Sequence, residues 1–128
     1  MSQQNIELVK NGYEAFNAGD AEAVMNLFDD DVEWIQPGNS AVSGTYRGKA
    51  ELGEFLMRLG EKGMTATTRS FLADGDTVVA FTEVSIAGEV GQDADVFTVR
   101  DGKVVHAQVY ADTAMLERVF GVKEVAAG

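Results

Sequence analysis

Ile6, Val9, Tyr13 and Phe16 recur at the spacing of one helical face, which predicts an amphipathic first helix. Asn17-Ala18-Gly19-Asp20 breaks it, and Asp20 is placed to cap a second helix carrying Val24, Met25 and Phe28 on one side. Val32-Glu33-Trp34-Ile35-Gln36 then reads as a short strand ended by Pro37-Gly38. The stretch from Gly38 to Gly48 reads as a loop or short hairpin. Leu52, Phe55, Leu56 and Leu59 mark a third helix, stopped by Gly60 and Gly63.

The period then changes. Thr65 to Leu72, Thr77 to Ala87, Asp93 to Arg100 and Lys103 to Ala111 are rich in Val, Thr and Phe and bounded by turn residues, so each reads as a strand. Asp74-Gly75 and Asp101-Gly102 are hairpin signals. A last helix is expected from Thr113 to Phe120, with Asp112 as its cap and Gly121 as its stop. Helices followed by an antiparallel meander give an α+β domain, with helices packed on one sheet face. A curved sheet closed on one side by helices encloses a cavity, where small ligands usually sit.

The chain's 128 residues fit a single domain over 1–128, with no repeat or linker to divide it. The N-terminal residues show neither a basic patch nor an apolar signal region, and no apolar run is long enough to span a membrane, so a cytoplasmic protein is expected. A net charge of −11 repels phosphate backbones and anionic lipid, which argues against nucleic acid and membrane partners. With no cysteine and a single histidine, His106, thiolate and paired-histidine metal sites are excluded. Asp29-Asp30-Asp31 is the one carboxylate cluster, and it reads as a solvated turn. Neither a metal nor a cofactor is expected.

Several motifs are familiar in their order. Tyr13-Glu14-Ala15-Phe16-Asn17-Ala18-Gly19-Asp20 with Leu27-Phe28-Asp29-Asp30-Asp31-Val32 resembles the opening of SnoaL-like and ketosteroid-isomerase-like proteins. Gly44-Thr45-Tyr46-Arg47-Gly48 before an apolar helix is similar to that group. So is Asp101-Gly102-Lys103-Val104-Val105 leading to Tyr110-Ala111-Asp112-Thr113. The resemblance covers nearly the whole chain and implies the nuclear transport factor 2-like fold: a cone-shaped curved antiparallel sheet wrapped by three to four helices around a central cavity. Function does not follow from that fold, which hosts isomerases, cyclases, hydrolases and non-enzymatic binders.

The ketosteroid-isomerase pattern needs a carboxylate base, and a tyrosine and a neutral carboxylic acid as donors to the developing oxyanion. Aligned through Asn17-Ala18-Gly19-Asp20, the tyrosine position falls at Gly12 and the base position at Gln36; only the neutral acid is kept, at Asp95. The arginine and two aspartates of the limonene-epoxide-hydrolase pattern fall at Val84, Ile86 and Val109. A SnoaL-like cyclase needs only one acid/base, so that reading survives. The resulting expectation is a pocket for a small apolar molecule, with isomerase, cyclase or hydrolase chemistry; a non-catalytic ligand-binding or interaction module is the alternative.

Asp95 is the candidate catalytic group, because it shares a strand face with Phe97 and Val99. Gly12, Phe16, Trp34, Gln36, Phe55, Leu59, Val84, Phe97, Ala107 and Val109 are expected around the ligand. Gly12 either hollows the wall or lets a helix pack closely, and Gln36 needs a hydrogen-bond partner on an inward strand face. The last hairpin has two registers. A two-residue turn pairs Phe97 with His106 and points His106, Gln108 and Tyr110 inward; a three-residue turn with a glycine bulge pairs Phe97 with Val105 and points Ala107, Val109 and Ala111 inward. The second puts apolar side chains inside and is the expectation. It leaves His106, Gln108 and Tyr110 on an uncovered outer face, where a homodimer contact is expected.

Overall fold

The computed structural model describes residues 2–123. The first apolar stripe forms α1 (Ser2–Ala18), which buries Val9 and sets Tyr13 and Phe16 against the core. Gly19 ends it with a left-handed backbone (φ 74°), and its N–H bonds Phe16 O at 3.1 Å. Asp20 caps α2 (Ala21–Asn26) by accepting the Ala23 N–H at 3.1 Å.

Phe28 does not continue that helix; it opens β1 (Phe28–Gln36). The correction has a local cause. Asp31 N–H bonds the Asp29 carboxylate at 2.9 Å, and the pairing of β1 shifts register between Phe28 and Glu33. This bulge turns Asp30 and Asp31 out to solvent while Phe28 and Val32 stay buried on either side. Part of the Gly38–Gly48 stretch pairs with β1 as β2 (Gly44–Arg47). Next, α3 (Gly48–Glu61) buries Leu52, Phe55 and Leu59 on one side.

The second half is the meander: β3 (Thr65–Asp74), β4 (Thr77–Ile86), β5 (Glu89–Arg100) and β6 (Lys103–Tyr110). The last helix, α4 (Thr113–Phe120), is capped by Asp112, whose side chain accepts the Met115 N–H at 3.0 Å. The six strands form one sheet in the order β2-β1-β6-β5-β4-β3. Every neighbouring pair is antiparallel except β1 and β6, which run parallel. The sheet curls around α1, which crosses β3 and β4, and α3, which lies on β1 and β2. Asn17 pins the end of α1 to β3: its amide donates to Ala66 O at 2.8 Å and accepts from Ala66 N–H at 2.9 Å. Among the described residues, no helix is long and apolar enough to cross a membrane.

Two strand boundaries differ from expectation in ways that matter for the cavity. β4 ends at Ile86, and Ala87-Gly88 makes a tight turn with both residues at positive φ (50° and 81°). β5 therefore starts at Glu89 rather than Asp93, so Asp93 sits well inside a paired strand, opposite Thr82. In the last hairpin the expected register is corrected: Phe97 pairs with Ala107, not with Val105 or His106. The two-residue turn and a bulge are both present. Arg100 pairs with Lys103 across Asp101-Gly102, and Val105 is then the extra residue between the Val99–Val104 and Thr98–His106 pairs. The expected facing survives because the register moved by two: Ala107 and Val109 are buried and Tyr110 is exposed.

Candidate functional site

The inner sheet face, α1, α3 and the α2–β1 junction enclose a cavity of ≈ 80 Å³. Period-2 alternation aims the β5 side chains at it: Asp93, Asp95 and Phe97 line it from that strand, Val84 from β4, Val109 from β6, and Trp34 and Gln36 from β1. Gly12, Tyr13 and Phe16 come from α1, and Leu56 and Leu59 from α3. No lysine, arginine or histidine is among the lining residues.

Asp95 is the chemically distinctive member. The residue is only 5% exposed, and the Tyr13 hydroxyl donates a hydrogen bond to its Oδ2. Its Oδ1 is buried with no hydrogen-bond partner among the described residues. Burial in these apolar surroundings, then repulsion from Asp93, pushes the Asp95 carboxyl up to about 8, although the Tyr13 hydrogen bond pulls the other way. Asp93 lines the same wall half-buried; burial and the neighbouring Asp112 carboxylate raise it to about 7. Burial, next to Asp95, holds the Tyr13 phenol well above its ordinary value, so it stays a hydroxyl donor. Near neutral pH the wall therefore holds a protonated deep carboxyl beside one that titrates.

The other expected residues separate cleanly. Phe16, Trp34, Gln36, Leu59, Val84, Phe97 and Val109 line the cavity together with Asp95. Gln36 finds its partner in the Trp34 indole, whose Nε1–H donates to its side-chain oxygen at 3.1 Å. Gly12 also lines it, but the space a side chain would take is occupied by Leu27, whose Cδ2 lies 2.5 Å from where a Cβ would stand. Close packing, not a hollowed wall, is its role.

Phe55 and Ala107 are corrected: neither is among the lining residues, and both are fully buried core. Phe55 is held between Trp34 and Tyr46, stacked on the Tyr46 ring at 4.5 Å, which leaves it no free face toward the cavity. Ala107 is too short to extend past Phe97, its partner across the ladder. On the outer face, His106 Nε2 lies 3.2 Å from Glu33, which also pairs with Arg47 at 3.1 Å. Among the described residues, no three acidic or histidine side chains converge as a metal would require.

Sequence reasoning missed Tyr13 and Asp93. Tyr13 was visible on the apolar helix face, but the tyrosine position was sought one residue earlier, at Gly12. Its ring packs edge-on against Phe97 at 6.1 Å, which carries the hydroxyl to Asp95.

Comparison with known proteins places this arrangement. A family model described as a SnoaL-like domain matches residues 9–107. An uncharacterised protein of Mycobacterium tuberculosis is 31% identical over 88% of this chain and 93% of its own length. An NTF2-like protein from Burkholderia xenovorans is 31% identical, with a TM-score of 0.74 over 94% of this chain and 98% of the other. TerC, co-crystallised with polyporic acid, is 28% identical, with a TM-score of 0.81 over 91% of this chain and 98% of its own.

Proposed function

The chain belongs to the SnoaL-like domain family, and from that premise we propose that its pocket performs cofactor-free acid/base chemistry on a small, largely apolar substrate, as an isomerase, cyclase or hydrolase. The observation that carries this reading is Asp95: a buried carboxyl held by Tyr13, with one oxygen unpartnered, in a wall that, apart from Asp93 and Gln36, is made mostly of rings and aliphatic chains. In its protonated form it donates a hydrogen bond to a substrate carbonyl oxygen and stabilises the negative charge that develops there. It also delivers or recovers a proton when the substrate's own acidity permits. Tyr13 is a positioning residue, fixing the carboxyl plane. TerC's co-crystallisation with polyporic acid supports a small organic ligand in such a scaffold.

Trp34, the single tryptophan, lines the cavity and supplies the readout. Uncharged carbonyl compounds that quench its fluorescence are then followed for conversion by NMR. Asp95→Asn is expected to retain binding and lose turnover. Unchanged turnover with an unchanged pH profile in that variant would sink the assignment. A ligand returned unchanged by the native protein would favour the non-catalytic binder.

We propose in addition that two copies pair through the outer sheet face. Cross-strand pairing aligns Leu72, Val79, Val96 and Gln108 in one row and Phe81, Ala94 and Tyr110 in the next. Leu72 and Tyr110 are 63% and 58% exposed, an apolar strip that a two-fold contact would cover. A monomer by light scattering at micromolar concentration would refute this.

A further inference from the structure

We propose that the same cavity is a receptor site for a small lipophilic ammonium ion, a primary amine carried on one apolar ring. This goes beyond the acid/base reading, which uses Asp95 in its neutral form. Two carboxyl groups face the cavity and no cationic side chain lines it, so nothing within it neutralises them. Asp95 Oδ1, on this wall, is a buried acceptor without a partner, and the Asp93 carboxyl lies on the same wall. An ammonium group brings three donors and a positive charge to this acceptor-rich wall. The remaining walls suit the cation's environment as well as its ring. Phe16, Phe28, Trp34 and Phe97 line the cavity, and aromatic faces attract a desolvated cation. A volume of ≈ 80 Å³ is small, so the guest considered carries a single ring. At long range, the chain's net charge of −11 draws cations toward it.

Burying an ammonium ion is costly unless it is paired, and here the carboxylate that pairs it must first give up a proton. Ligand and proton therefore compete for Asp95. The titratable groups that face it are Tyr13 from α1 and Asp93 from its own strand, with Asp112 at the cap of α4 beyond Asp93; β1, β4 and β6 present Gln36, Val84 and Val109. All three titratable neighbours are acids, so none substitutes for the cation. Affinity for an amine must then rise with pH until Asp95 is ionised, the reverse of what a carbonyl ligand held by protonated Asp95 would show.

The test compares benzylamine with benzyl alcohol, nearly equal in shape, by Trp34 fluorescence on the intact protein. Benzylamine is expected to bind at least about tenfold more tightly at pH 8 than at pH 6, and about tenfold more tightly than benzyl alcohol at pH 8. Asp95→Asn should remove both the preference and its pH dependence while benzyl alcohol still binds. Asp93→Asn, whose residue is less buried, should reduce the preference by a smaller factor. Equal binding of the two probes at pH 8, or a preference that survives Asp95→Asn, overturns the proposal. If benzyl alcohol or an uncharged ketone binds and benzylamine does not, the ammonium site is wrong and the acid/base reading stands. If no probe of either class binds, both fall.

Discussion

Two acidic clusters in this chain are built from nearly the same residues and end in opposite environments. Asp29, Asp30 and Asp31 are consecutive, and a bulge in β1 carries Asp30 and Asp31 into solvent. Asp93 and Asp95 are separated by one residue, so an unbroken stretch of β5 puts both on its inner face. The denser cluster is the one that faces solvent. Spacing matched to the strand's period, rather than the number of carboxylates, is what brings charge into an apolar cavity.

The contrast breaks most readily at Asp95. Its carboxyl is raised in the folded state, so the native protein binds more protons than the unfolded chain at any pH between about 4 and 8. Stability contributed by this group is therefore full below about pH 4 and lost as pH rises toward 8. Asp95→Asn, which cannot ionise, is expected to stabilise the protein by about 2–4 kcal/mol at pH 7 and by almost nothing at pH 4. Urea denaturation at the two pH values measures both; equal effects would mean that Asp95 is not buried as described.

Tyr13→Phe comes next. It leaves Asp95 Oδ2 without its donor, at an expected cost of about 1–3 kcal/mol, and it should move the Asp95 titration upward in carboxyl carbon NMR. Asp93→Asn is milder, an expected gain of about 1 kcal/mol at pH 7, because its carboxyl is also raised by burial but the residue is only half-buried. It should move the Asp95 titration downward, since repulsion from Asp93 is removed. Shifts of the same sign in these two variants would contradict the stated causes. At the bottom of the scale, Asp30→Asn should change stability by no more than about 0.5 kcal/mol. A larger effect would show that the solvent-facing cluster has a structural role.

The fold was legible because the helical and strand periods are strong and most boundaries carry capping or turn residues. The misses are local. Asp93 read as the first residue of its strand because Ala87-Gly88 is a weak turn signal: alanine at positive φ is uncommon, and the strand beyond the turn contains Gly91 and Gln92 rather than a β-branched run. Phe55 and Ala107 were assigned to the cavity from facing alone, yet facing does not say how far a neighbouring ring fills the space. Trp34, Phe97 and Val109 were identified correctly as inward by the same rule. The last hairpin shows the limit of turn residues, since Asp101-Gly102 fixes the turn but not the extra residue at Val105 that sets the register.

The single parallel ladder bears on how the chain is made. β1 leaves the ribosome early, but its inner edge pairs with β6, the last strand synthesised. Until then β1 has only β2 on its other side, and Trp34 has no Ala107 opposite it. The Leu27 carbonyl likewise waits for the Val104 N–H, 2.9 Å away in the finished fold. Such distant pairing is slow to form, because a long loop must close before any contact repays it. The nascent chain therefore emerges with an open strand edge beside the exposed Asp30 and Asp31, charges of the kind that disfavour edge-to-edge pairing.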